Sequence, residues 1–84
     1  MRKVTTNEII QAVEEVNGGW AYKDDRAYSS HPGDWYLRIV LAERTWASGT
    51  KEYTTWLYNA TLGGLANGRY TFTEATALKD FEER

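Results

Sequence analysis

Trp35-Tyr36-Leu37-Arg38-Ile39-Val40-Leu41-Ala42-Glu43-Arg44-Thr45-Trp46, then Ala47-Ser48-Gly49-Thr50-Lys51, then Glu52-Tyr53-Thr54-Thr55-Trp56-Leu57-Tyr58-Asn59-Ala60, is the stretch on which the fold turns. Both flanks are rich in aromatic and β-branched residues, and the polar, glycine-containing link between them has hairpin length. Side chains alternate across a strand, so Trp35, Leu37, Ile39 and Leu41 share one face. Tyr36, Arg38, Val40, Ala42, Arg44 and Trp46 share the other. The first face is core and the second is mixed. A five-residue link sets Trp46 opposite Glu52, Arg44 opposite Thr54, Ala42 opposite Trp56, Val40 opposite Tyr58 and Arg38 opposite Ala60, which places small residues across from large ones.

Working outward, Thr5 and Glu8 form a capping box, so a helix begins there. Ile9, Ile10, Val13 and Val16 make its apolar stripe, and Asn17-Gly18-Gly19 supplies residues that tolerate the left-handed turn ending a helix. Trp20-Ala21-Tyr22 reads as a short strand. Lys23-Asp24-Asp25-Arg26 reads as the start of a polar loop closed by a Pro32-Gly33 turn, with residues 26–29 also compatible with a strand. Beyond the hairpin, Asn67-Gly68 is a type I′ turn signal ahead of a last short strand, Arg69-Tyr70-Thr71-Phe72. Ala75, Ala77, Leu78 and Phe81 then recur at helical spacing behind a cap at Thr71 or Thr73. The expected fold is α+β: one domain over residues 1–84, with an N-terminal and a C-terminal helix and a three- to four-stranded antiparallel sheet. The order is α-β-β-β-(β)-α, with both helices on one face.

Composition narrows the function. Eighty-four residues bury only about 60% of the unfolded surface, enough for one core. There is no cysteine and one histidine, which removes disulfides, thiol nucleophiles and Cys-based zinc sites. His31 lies in Ser29-Ser30-His31-Pro32-Gly33-Asp34, but adjacency in a turn is not a catalytic triad, and the carboxylates Asp24, Asp25 and Asp34 lack metal-ligand spacing. The reading is therefore non-enzymatic, with no cofactor and no metal. A net charge of −2 argues against a dedicated duplex-DNA binder. The longest aliphatic run, Ile39-Val40-Leu41-Ala42, is far below a membrane span, and no apolar export stretch follows Met1-Arg2-Lys3, so the expected location is the cytoplasm.

The mixed face of the hairpin carries the functional signal. Tyr36, Arg38, Arg44, Trp46, Trp56 and Tyr58 project from it, and two short helices on the opposite face leave it open. Three readings compete. The segment around Trp20 and Tyr22 folds over it as a second small core. Or it binds a larger protein or a second copy of the chain, using residue types that dominate interface hot spots. Or it stacks single-stranded nucleic acid, with Arg38 and Arg44 on the backbone. A homodimer paired through this face or an edge strand is a further class. The acidic residues Glu14, Glu15, Asp24, Asp25, Asp80, Glu82 and Glu83 would form a negative patch toward a basic partner if they converge.

The C-terminal pattern Asn67-Gly68-Arg69-Tyr70, Phe72-Thr73-Glu74-Ala75 and Asp80-Phe81-Glu82-Glu83-Arg84 resembles the ends of small proteins carried by phages and mobile elements. In size, acidity, lack of cysteine and α+β make-up, the chain also resembles anti-CRISPR and related anti-defence proteins. That resemblance implies an inhibitor that occupies a site on a host nucleoprotein complex and blocks it sterically. It is a likeness of type and transfers no residue roles.

Overall fold

A computed structural model describes residues 4–28 and 36–84 of the chain. Six elements follow one another: α1 Thr6–Glu14, β1 Ala21–Ala27, β2 Leu37–Thr45, β3 Lys51–Asn59, β4 Gly64–Thr71 and α2 Glu74–Glu83. The strands form one antiparallel meander in the order β1-β2-β3-β4. The α+β class and the order α-β-β-β-β-α are as the sequence leads one to expect. The Pro32-Gly33 turn, His31 and Trp35 lie outside the described residues.

The helices do not share a face. α1 lays Ile9 and Val13 on Val40, Ala42, Trp56 and Tyr58, with Val4 and Trp20 completing that core. α2 lays Ala77 and Phe81 on Ile39 and Leu41, joined by Tyr28, Tyr53 and Leu57. The sheet is thus sandwiched between two helices, and the expectation of both on one side is corrected. The reason is visible in β2, where Ile39, Val40, Leu41 and Ala42 are all buried. Four consecutive apolar residues in a strand need cover on both faces. Each helix is too short to persist alone, at 9 and 10 residues, and gains its stability by covering one apolar face. α1 has the predicted capping box: the Thr5 hydroxyl accepts from the Glu8 N–H (3.3 Å) and the Glu8 carboxylate accepts from the Thr5 N–H (3.0 Å).

The β2–β3 hairpin pairs two residues tighter than the five-residue link implies. Trp46 N–H donates to the Thr50 carbonyl (2.8 Å) and Gly49 N–H to the Trp46 carbonyl (2.8 Å), with Gly49 at φ +89°. This is a three-residue loop closed by a left-handed glycine. The register becomes Arg44 with Glu52, Ala42 with Thr54, Val40 with Trp56 and Arg38 with Tyr58. A shift of two keeps every side chain on its predicted face.

Two further readings change. Lys23-Asp24-Asp25-Arg26 is strand, not loop, because each long side chain finds a partner: Lys23 with Glu43 (3.3 Å), Asp25 with Arg38 (2.9 Å) and Arg26 with the Phe81 carbonyl (3.1 Å). Charges of this kind are at home on an edge strand. Asn67-Gly68 is not the hairpin turn either. The β3–β4 turn is made upstream, where Gly63 N–H donates to the Asn59 carbonyl (2.8 Å) and the Asn59 side chain accepts from Thr61 and Leu62. Asn67, at φ +56°, instead lies in a bulge of β4 opposite Trp56, where the register slips between Leu57↔Ala66 and Thr55↔Arg69.

Candidate functional site: an aromatic strip at the turn end of the sheet

The mixed face is not open. Trp56 and Tyr58 are each only 4% exposed, because α1 lies over them. The Tyr58 hydroxyl donates to Glu8 of α1 (2.8 Å), and the Trp56 indole meets Trp20 edge-on at a centroid distance of 5.4 Å. Tyr36 is half-buried against the same core. These three residues belong to the second core, so their expected role as open partner-binding groups is corrected. The segment around Trp20 does what one of the three sequence readings supposed, with α1 supplying most of the cover.

The two arginines are committed as well. Arg38 grips Asp25 through Nε and Nη2, both at 2.9 Å, and the Tyr22 hydroxyl donates to the other oxygen of the same carboxylate. Burial first, then the hydrogen bond to Asp25 and its charge, push the Tyr22 phenol well above its ordinary pKa of 10.0. The folded state therefore holds this proton more tightly than the unfolded state, and the resulting stability is complete below pH 10 and lost as pH rises further. The urea midpoint is expected to stay flat to about pH 9 and to fall above about pH 10, with a shallower fall in Tyr22→Phe. Parallel curves for the two proteins would contradict this.

Arg44 sits between two indoles, 4.6 Å from the Trp20 centroid and 4.2 Å from that of Trp46. Its Nε and Nη2 both reach Glu52 Oε1 at 2.8 Å, and Nη1 donates to the Gly18 carbonyl (3.4 Å). Of the six predicted binding residues, only Trp46 remains substantially exposed, at 46%. It lines a shallow, largely apolar groove of about 370 Å³ with Ala47, Ser48, Thr50 and Phe72. Phe72 is 61% exposed, and Tyr70, on the same side of β4, is 57% exposed. Tyr70 leans on Trp20 (5.8 Å) and accepts a hydrogen bond from the Trp56 indole (3.2 Å). Tyr70, Trp20, Arg44, Trp46 and Phe72 thus form one strip beyond the end of α1. Its two outer members on β4 and the following turn, Tyr70 and Phe72, were missed from sequence. Their even-numbered alternation in the last strand was the available signal, but their exposure depends on where α1 ends.

The acidic residues do not converge. Glu14 and Glu15 are at the end of α1 on one side of the sheet, while Asp80, Glu82 and Glu83 are on α2 on the other. Asp24 is exposed on the edge strand, and Asp25 is held by Arg38. A second cleft, polar and about 660 Å³, lies beside the C-terminal end of α2 and is lined in part by Tyr28, Arg69, Asp80, Glu83 and Arg84. Its charges offset one another, two guanidinium groups against two carboxylates. Arg84 Nη1 is tied to the Thr55 carbonyl (3.0 Å) and hydroxyl (2.9 Å), and burial, then the neighbouring Arg69, lower its pKa. Arg84, at the C-terminal cap of α2, thereby ties the helix to β3.

Among the described residues, no three His, Cys, Asp or Glu side chains gather as a metal site, and no helix is long and apolar enough to cross a membrane. No family model, curated protein or solved structure matches the chain.

Proposed function

We propose that the chain is a non-enzymatic interaction protein that docks on a larger protein or nucleoprotein complex through Trp46, Tyr70 and Phe72 and acts by steric blocking. The observation that supports this is the contrast between a sheet covered by a helix on each face and two large aromatic side chains, Trp46 and Phe72, left exposed along one groove, with Tyr70 also exposed on β4. Such side chains supply most of the energy at protein interfaces, about 2 kcal/mol or more for each well-buried anchor. Size, acidity and the likeness to anti-defence proteins favour a phage or mobile-element inhibitor of a host defence complex, working in the cytoplasm.

The nucleic-acid reading has less support, since Arg38 and Arg44 are engaged by Asp25 and Glu52 and are not free for a phosphate backbone. Pairing of two copies through an edge strand also has less support, because β1 and β4 each carry a bulge that turns the edge away from such pairing. The test is capture from a bacterial lysate, quantified by mass spectrometry, with Trp46→Ala and Phe72→Ala against Leu62→Ala, an exposed leucine in the β3–β4 turn. A partner held by the wild type and by Leu62→Ala, and reduced at least tenfold by both aromatic variants, is expected. Equal capture by all four proteins would sink the reading.

A further inference from the structure

We propose that Arg44 is a positioning residue for this docking strip: its guanidinium holds the Trp46 indole in the orientation that forms the groove with Phe72. The inference rests on reading the strip as a docking surface. The hairpin turn fixes the Trp46 backbone on both sides, through Thr50 and Gly49, but leaves the side chain at the end of the sheet with nearly half its surface in water. A side chain so placed ordinarily samples several rotamers, and that freedom is lost on binding.

The Arg44 plane removes it beforehand. The guanidinium carbon lies over the ring of Trp20, which is itself buried, at 4.6 Å from its centroid, and the contact to Trp46 is closer still at 4.2 Å. Both lie well inside the roughly 6 Å range of a cation–π contact. The guanidinium is not free to follow a mobile indole. Two of its nitrogens hold one oxygen of Glu52, the cross-strand partner of Arg44 in the register, and the third reaches the Gly18 carbonyl after α1. Space is tight there: a Cβ at Gly18 would sit 2.4 Å from Arg44 Nη1. Trp46 is therefore braced against the buried core through a planar cation, and a lysine, which has no plane to stack, is a poor substitute.

The experiment uses the whole chain without a partner. Relaxation of the ¹⁵N-labelled indole N–H groups of Trp20, Trp46 and Trp56 is compared in the wild type, in Arg44→Lys, and in the double variant Arg44→Gln with Glu52→Gln, which leaves no unpaired buried charge if the lysine variant fails to fold. The Trp46 order parameter is expected to drop from about 0.85 to below about 0.6 in the variants, with Trp20 and Trp56 unchanged. A Trp46 indole as ordered as in the wild type overturns the proposal. So does loosening of all three indoles together, which would make Arg44 a contributor to general stability only. Because no partner is involved, this outcome is independent of the capture experiment with Trp46→Ala, and failure of either one is recognisable as its own.

Discussion

Trp56→Ala is expected to destabilise the protein by about 3–5 kcal/mol, the range for deleting a large buried aromatic ring. A domain of this size is stable by only roughly 5–10 kcal/mol, so the variant retains little cooperative structure at physiological temperature. The ring meets Trp20 at 5.4 Å and Tyr70 at 6.4 Å, donates its N–H to Tyr70, and lies under α1 beside Ile9 and Val13. Removing it leaves a cavity among four elements and an unpaired Tyr70 hydroxyl. Urea unfolding followed by near- and far-ultraviolet circular dichroism measures the loss. Trp46→Ala serves as the comparison and is expected to cost about 1 kcal/mol or less, since its ring lies half in water and loses mainly the Arg44 contact. Equal stability of the two variants would mean that the α1 face is not sealed.

Phe81→Ala tests the opposite core by the same logic. Phe81 and Ala77 are the buried residues of α2, and together they cover Ile39 and Leu41. A ten-residue helix does not hold its shape without that contact. The substitution is expected to cost about 3 kcal/mol or more, with loss of the helical part of the far-ultraviolet signal ahead of the sheet. Its effect arises on the other side of the sheet from Trp56, so the Arg44–Trp46 contact and the strip around it are expected to survive at low urea. A cost below about 1 kcal/mol would contradict the two-sided core.

Much of the architecture was legible in the sequence because its signals are local. The Thr5–Glu8 capping box, the stripe of Ile9 and Val13 and the alternation along residues 35–60 each depend on neighbours a few positions away. What was not legible depended on partners far along the chain. The sidedness of the two helices was written in the uninterrupted Ile39-Val40-Leu41-Ala42, but an emphasis on alternation hid it. The charged run at Lys23–Arg26 looked like loop until Glu43, Arg38 and the Phe81 carbonyl appeared as its partners. Asn67-Gly68 has the composition of a turn and is used as a bulge, because Asn59 and Gly63 had already reversed the chain.

The candidate site depends most on such distant partners. Residue type and face were read correctly for Trp46, Trp56 and Tyr58, yet exposure is set by where α1 ends: it covers the last two and stops short of the first. The proposed docking strip lies at one end of the sheet and adds Tyr70 and Phe72, which the sequence places in the last strand without showing that they stay exposed.

The most direct test is to bring a soluble nitroxide to the folded, ¹⁵N-labelled protein and compare the loss of intensity at the indole N–H of Trp46 with that of Trp56. A sealed α1 face with a docking strip at its end requires the Trp46 signal to fade strongly while Trp56 and Trp20 persist. Fading of Trp56 in step with Trp46 would mean that water reaches beneath α1, and the division between core and docking strip would be wrong.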